Sequence, residues 1–143
     1  MNVISTAVGY PYIGPNREWK RLLESFWKKQ VTEEQFEAQL QTLRLARLKH
    51  QQDLGIDYIT VGDFTKYDRM LDLATMFNLI PKRYDHLQHE SSLTRYYAMA
   101  RGANDVVACE MTKWFNTNYH YIVPEYEGQT LTLVANFIRD QFV

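Results

Sequence analysis

With one cysteine, Cys109, among 143 residues, no internal disulfide can form. A disulfide-stapled secreted scaffold is excluded, and a cytoplasmic setting is expected. An excess of charge of one sign is also missing, since 16 Lys and Arg stand against 17 Asp and Glu. Such a chain has no overall field to draw in nucleic acid or an anionic membrane, and its aromatics are not interleaved with a basic stripe. Neither partner class is expected, so any anion site must be local. No apolar run approaches the roughly 18 residues of a membrane span. The first sixteen residues lack Lys and Arg and are interrupted by Gly9, Pro11, Gly14 and Pro15, a pattern foreign to a signal peptide. No Pro/Gly/Ser tract, repeat or low-complexity segment divides the chain, so residues 1–143 are expected to form a single unit. Nucleophile-elbow, phosphate-loop and dinucleotide motifs are absent. The four histidines, His50, His86, His89 and His120, have no Cys/His spacing of a zinc site. His86 and His89 have helical pair spacing but fall in the most polar stretch and are expected to be solvated.

What the chain does contain is alternation of strand-like and helix-like segments. Val3 to Val8 is a β-branched apolar run ending at Gly9, and Ile56 to Val61 alternates before stopping at Gly62; both read as strands. Between them, Asn16 can cap a helix over residues 17–30 with an apolar stripe of Trp19, Leu22, Leu23, Phe26 and Trp27. Thr32 and Gln35 have capping-box spacing and open a second helix that should stop at Gly55. A third helix is predicted over residues 67–78, a loop over 82–92, and a fourth helix from a Ser92 cap to about Ala100, ended by Gly102. A third strand is placed between Val106 and Val123. Strands separated by helices argue for an α/β fold with a parallel sheet.

Two segments are unusual for packing alone. The eleven residues from Met111 to Tyr121, MTKWFNTNYHY, set Lys113 among four aromatics and several small polar groups. Rigid aromatic faces, hydrogen-bonding Asn116, Asn118 and His120, and one point charge describe a recognition surface. His120 is equally compatible with a satisfied core histidine. In Gly14-Pro15-Asn16-Arg17-Glu18-Trp19-Lys20, two cations sit at a predicted helix start, where backbone amides and the helix dipole favour anions. On the residues alone they are as readily the solvated side of an amphipathic helix. Asp63, Tyr67 and Asp68 follow the second predicted strand, where ligand contacts or capping by Asp63 or Thr65 both fit.

Taken together, GYPYIGPNREWK at 9–20, DYITVGDFTKYD at 57–68, YYAMARG at 96–102 and ACEMTKWFNTNYHYIVPE at 108–125 resemble the N-terminal domain of cobalamin-independent methionine synthase. The tail after Glu125 fits that pattern only loosely. The resemblance implies two (β/α)8 TIM barrels in tandem. A single barrel takes about 250 residues, so this chain is expected to hold about the first three strands of the first barrel with their intervening helices. The open edges of such a piece are expected to pair with another copy or to be covered by the C-terminal segment. The implied activity is methyl transfer from 5-methyltetrahydropteroyltri-L-glutamate to L-homocysteine, giving methionine. The resemblance assigns folate-tail contacts to Arg17, Glu18, Trp19, Lys20 and Lys113, with Asn116, Asn118, His120 and Asp63 as further lining. It places the zinc and its thiolate and histidine ligands in the other barrel. No catalytic residue, metal or cofactor is therefore expected in this chain, whose partners would be the folate and either the rest of the enzyme or another copy. The alternative is a non-catalytic binding or assembly module descended from that enzyme.

Overall fold

The computed structural model describes residues 3–142. Met1, Asn2 and Val143, included in the expected single unit, lie outside the described residues. The fold forms two compact units divided between Phe64 and Thr65.

In the first unit the expected strands are reduced to one parallel bridge, Thr6 with Tyr58. The parallel sense agrees with the sequence reading, but no ladder extends from it. Short polar side chains bond where ladder groups would: Thr6 Oγ1 donates to the Tyr58 carbonyl at 3.2 Å, and the Asp57 carboxylate accepts from both the amide and hydroxyl of Ser5 at 2.8 Å. Those bonds hold the Asp57 carboxyl below the ordinary carboxylate range, the Ser5 amide first.

Helix α1 spans Glu18–Trp27 and α2 spans Glu33–Asp53. The capping box forms as predicted: Gln35 N donates to Thr32 Oγ1 at 3.2 Å and Thr32 N to Gln35 Oε1 at 2.9 Å. The helix ends where Gly55 was expected to stop it, with Gly55 at φ 79 and its amide on Gln52 O at 2.9 Å. Trp19, Leu22 and Leu23 of α1 are buried with Phe36 and Leu40 of α2. Phe36 packs its ring 4.8 Å from Phe26 and 6.1 Å from Trp19.

The second unit holds α3 (Arg69–Met76), α4 (Ser92–Arg101), and an antiparallel hairpin of β1 (Met111–Lys113) and β2 (His120–Ile122). The third strand is thus a short hairpin, because Trp114 to Tyr119 turn the chain back on itself with Phe115 at φ 50. The segment 82–92 is not wholly loop either. Lys82–Leu87 is a 3-10 helix anchored by fully buried Tyr84, whose hydroxyl donates to Val107 O at 2.7 Å. That helix also carries His86, which is exposed like His89, as expected, and lies 3.0 Å from Asp105.

Three predicted caps shift. Asp68, not Asp63 or Thr65, caps α3 by accepting from Leu71 N at 2.9 Å, and Ser91 rather than Ser92 caps α4. Asn16 caps nothing: Arg17 occupies the cap position of α1 at φ 60 without a side-chain cap bond. The tail beyond Glu125 lies along the end of α3, with Thr132 N on Phe77 O at 3.1 Å and Val134 N on Met76 O at 2.9 Å.

Candidate functional site

The start of α1 is organised by its own glutamate. Glu18 accepts from the backbone amide and the side-chain amide of Asn16, both at 3.1 Å. Its carboxyl is held below the ordinary range, chiefly by its own backbone amide and further by Asn16. Gly14 makes this possible, since it sits at φ +80 and any Cβ there would meet Glu18 Oε2 at 2.0 Å. Arg17 N bonds Gly14 O at 3.0 Å and Trp19 N bonds Ile13 O at 3.2 Å, so the turn preceding the helix is closed by backbone. Arg17 and Lys20 point outward and are exposed, with Lys20 3.7 Å from Glu24 one turn on. Trp19 is 6% exposed and packs edge-on to Phe64 at 5.4 Å. Its side chain serves the core, in keeping with its place on the apolar stripe.

Asp63 is close to this turn through Arg47. The Arg47 guanidinium pairs with the Asp63 carboxylate and donates Nε and Nη2 to Tyr10 O at 3.1 and 2.9 Å. Asp63 Oδ1 is buried and has no hydrogen-bond partner among the described residues. Between this clasp and the turn lies a cavity of about 650 Å³, walled by Tyr10, Tyr12, Pro15, Glu18, Leu43 and Arg47. Arg47 and Gln51 are both buried in α2 and were missed from the sequence, where polar residues near a helix end read as solvated. The signal was there in the spacing, because 36, 40, 47 and 51 continue one helical stripe.

The remaining expected site residues belong to the second unit. Lys113 and His120 are directly paired across the hairpin, placing their side chains on one face. Both are exposed, as are Asn116 and Asn118 in the connecting turn. His120 Nδ1 lies 3.0 Å from Asn118 O, and since a carbonyl only accepts, Nδ1 donates in that bond. His120 is therefore a surface group and not a core histidine. On the other face, Trp114 stacks edge-on with Phe115 at 5.1 Å and Tyr121 at 5.5 Å, stiffening the turn.

Two polar clusters, one largely buried and one half-buried, lie in this unit. Tyr96 donates to Asp72 Oδ1 at 2.6 Å and receives the Asp68 amide at 3.2 Å; burial pushes the Asp72 carboxyl up in spite of the Tyr96 bond. Arg83 grips Glu125 with two nitrogens, one at 2.7 Å, and its Nη2 lies 3.5 Å from Cys109 Sγ. Burial pushes the Cys109 thiol up, which keeps it protonated and a poor metal ligand. Among the described residues no group of three or more His, Cys, Asp or Glu side chains is placed to hold a metal ion, so these residues do not fit a zinc centre.

A family model described as the cobalamin-independent synthase N-terminal domain matches residues 4–142. The chain belongs to this family. Over 136 residues it is 52% identical to the 5-methyltetrahydropteroyltriglutamate–homocysteine methyltransferase of Lactiplantibacillus plantarum, covering 95% of this chain and 18% of that protein. It is 53% identical over 136 residues to the protein of that name in Listeria welshimeri and 54% identical over 137 residues to that of Bacillus thuringiensis, with the same coverages. The chain thus spans 18% of the length of these relatives.

Membership of the cobalamin-independent synthase family includes the tail, because the match runs to residue 142. The tail after Glu125, expected to fit the pattern loosely, therefore lies within the matched stretch. Both groups of expected site residues, at the start of α1 and on the hairpin, lie within the matched stretch, as does Arg47. Among the described residues no helix is long and apolar enough to cross a membrane.

Proposed function

We propose that this chain is the N-terminal portion of a methyltransferase that moves a methyl group from 5-methyltetrahydropteroyltri-L-glutamate to L-homocysteine, and that it contributes binding of the folate and its polyglutamate tail. The family match over residues 4–142 carries the reading. Exposed cations in each unit support it, Arg17 and Lys20 in the first and Lys113 in the second, since a triglutamate is a polyanion that point charges can meet. Asn116, Asn118 and His120 stand beside Lys113 on one hairpin and offer both donors and acceptors to a planar heterocycle. In this reading the architecture is the first part of a (β/α)8 barrel, the setting is cytoplasmic, and zinc and the homocysteine site are supplied by the remaining length of the enzyme. The isolated chain binds but does not catalyse.

Lys113→Ala tests the assignment by calorimetry with the triglutamate and monoglutamate forms of 5-methyltetrahydrofolate. The triglutamate form is expected to lose roughly 1 to 3 kcal/mol with the charge-assisted bond, and the monoglutamate form much less. Equal loss for both forms places Lys113 away from the tail.

A second reading, a non-catalytic assembly module, is favoured by one observation. Beside the single Thr6–Tyr58 bridge, Val3 is 86%, Ile4 58% and Val8 100% exposed. An extended apolar segment left so open is suited to pairing with further strands, either from the rest of the enzyme or from a second copy.

A further inference from the structure

We propose that Arg47 is a positioning residue for the substrate-facing start of α1. The inference rests on the reading of that helix start as a folate-tail contact and adds a residue that neither composition nor motif marks.

Residues 10–15 do not lie flat on α2, because the 650 Å³ cavity separates them from Leu43 and Arg47. The packing contacts of this turn lie around that opening, with Tyr10 against His50 at 5.9 Å and Tyr12 against Phe64 at 5.3 Å. Arg47 adds polar contacts across the space. Arg47, with its side chain only 7% exposed, places two guanidinium nitrogens on Tyr10 O and one of them also on Asp63. Its charge centre also lies 5.8 Å from the centroid of the Tyr10 ring.

The two anchors have matching places in the chain. Tyr10 follows bridge residue Thr6 by a few positions, and Asp63 follows bridge residue Tyr58 likewise. One planar guanidinium therefore ties the exits of two parallel segments to each other and to α2. From Tyr10 the constraint passes along a short backbone route: Ile13 O receives Trp19 N, and Gly14 O receives Arg17 N. Displacing Tyr10 displaces the carbonyls that seat Arg17 and the first turn of α1. The buried, unpartnered Oδ1 of Asp63 sharpens the dependence, because the described residues supply no donor to it.

Lysine at this position keeps the charge opposite Asp63 but lacks the fork that holds Tyr10 O through two nitrogens. Arg47→Lys is therefore the informative variant. Asp63→Asn with Arg47→Gln, which removes both charges together, guards against simple misfolding from a buried unpaired carboxylate. Amide hydrogen exchange of the full chain and calorimetry with the triglutamate folate are read side by side. In both variants, exchange at Arg17 and Trp19 is expected to rise about tenfold or more while the α2 amides around Leu40 keep their protection. Triglutamate affinity is expected to fall by about tenfold.

Unchanged exchange at Arg17 and Trp19 overturns the proposal. So does an increase spread evenly over α1 and α2, which makes Arg47 an ordinary stabilising residue, and so does a loosened turn with unaltered affinity. If the unsubstituted chain binds no triglutamate, the binding reading fails by itself, and the exchange pattern alone decides whether Arg47 orders the turn.

Discussion

At the scale of single residues, the ion pair between Arg83 and Glu125 shows how a local contact sets behaviour with pH. Arg83 holds the Glu125 carboxyl below its ordinary value of 4.5, chiefly by hydrogen bonding. The folded state thus binds its proton less readily than the unfolded chain does. The resulting stabilisation is complete above that ordinary value and is lost as pH falls through the lower folded value. Both side chains are less than a third exposed. Glu125→Gln is therefore expected to cost roughly 1 to 3 kcal/mol near neutral pH. In urea unfolding, the gap between variant and wild type should close on acidification; a gap constant from pH 7 to pH 3 rejects the account. This pair was not legible in the sequence, because Arg83 and Glu125 are 42 positions apart. The site residues were legible only as candidates. The outward cations are where the motifs put them, whereas Trp19 proved to be core and Arg47, which touches both loop exits, resembled any solvated helix cation.

At the scale of elements, helices were read well and strands were not. A helix closes its bonds within its own segment, so an apolar stripe and a cap suffice to announce it. Thr32 illustrates the strength of that signal, since its capping box formed as the spacing required. Thr32→Ala is expected to lower stability by about 1 kcal/mol, with protection lost first at the amides of residues 33–36. Thermal unfolding with site-resolved exchange checks both parts, and a loss of protection centred elsewhere excludes fraying from the cap. A strand needs a partner that its own residues do not name. Val3 to Val8 and Ile56 to Val61 found each other in the expected parallel sense but made one bridge, with Ser5, Thr6 and Asp57 side chains taking up the neighbouring groups. The third strand expected between Val106 and Val123 became a hairpin because the chain turns back at Phe115.

At the scale of the whole molecule, Val3, Ile4 and Val8 leave an apolar segment exposed. Burying such a surface is favourable by about 25 cal/mol per Å² of apolar area, and an unpaired strand edge supplies ready backbone partners. In light scattering after size exclusion, this chain is expected to run as a dimer or larger species at high micromolar concentration. A strictly monomeric mass with cooperative unfolding removes self-association.

The sequence by itself determined the family, the four helices and the identity of the exposed cations, since each is written in contiguous residues or short spacings. Tertiary structure alone decided that Trp19 faces the core, that Asp68 rather than Asp63 caps α3, and that Arg47 clasps Tyr10 and Asp63. Those outcomes depend on which distant groups compete for one donor or one buried volume, and such competition is settled only when the segments are brought together in space.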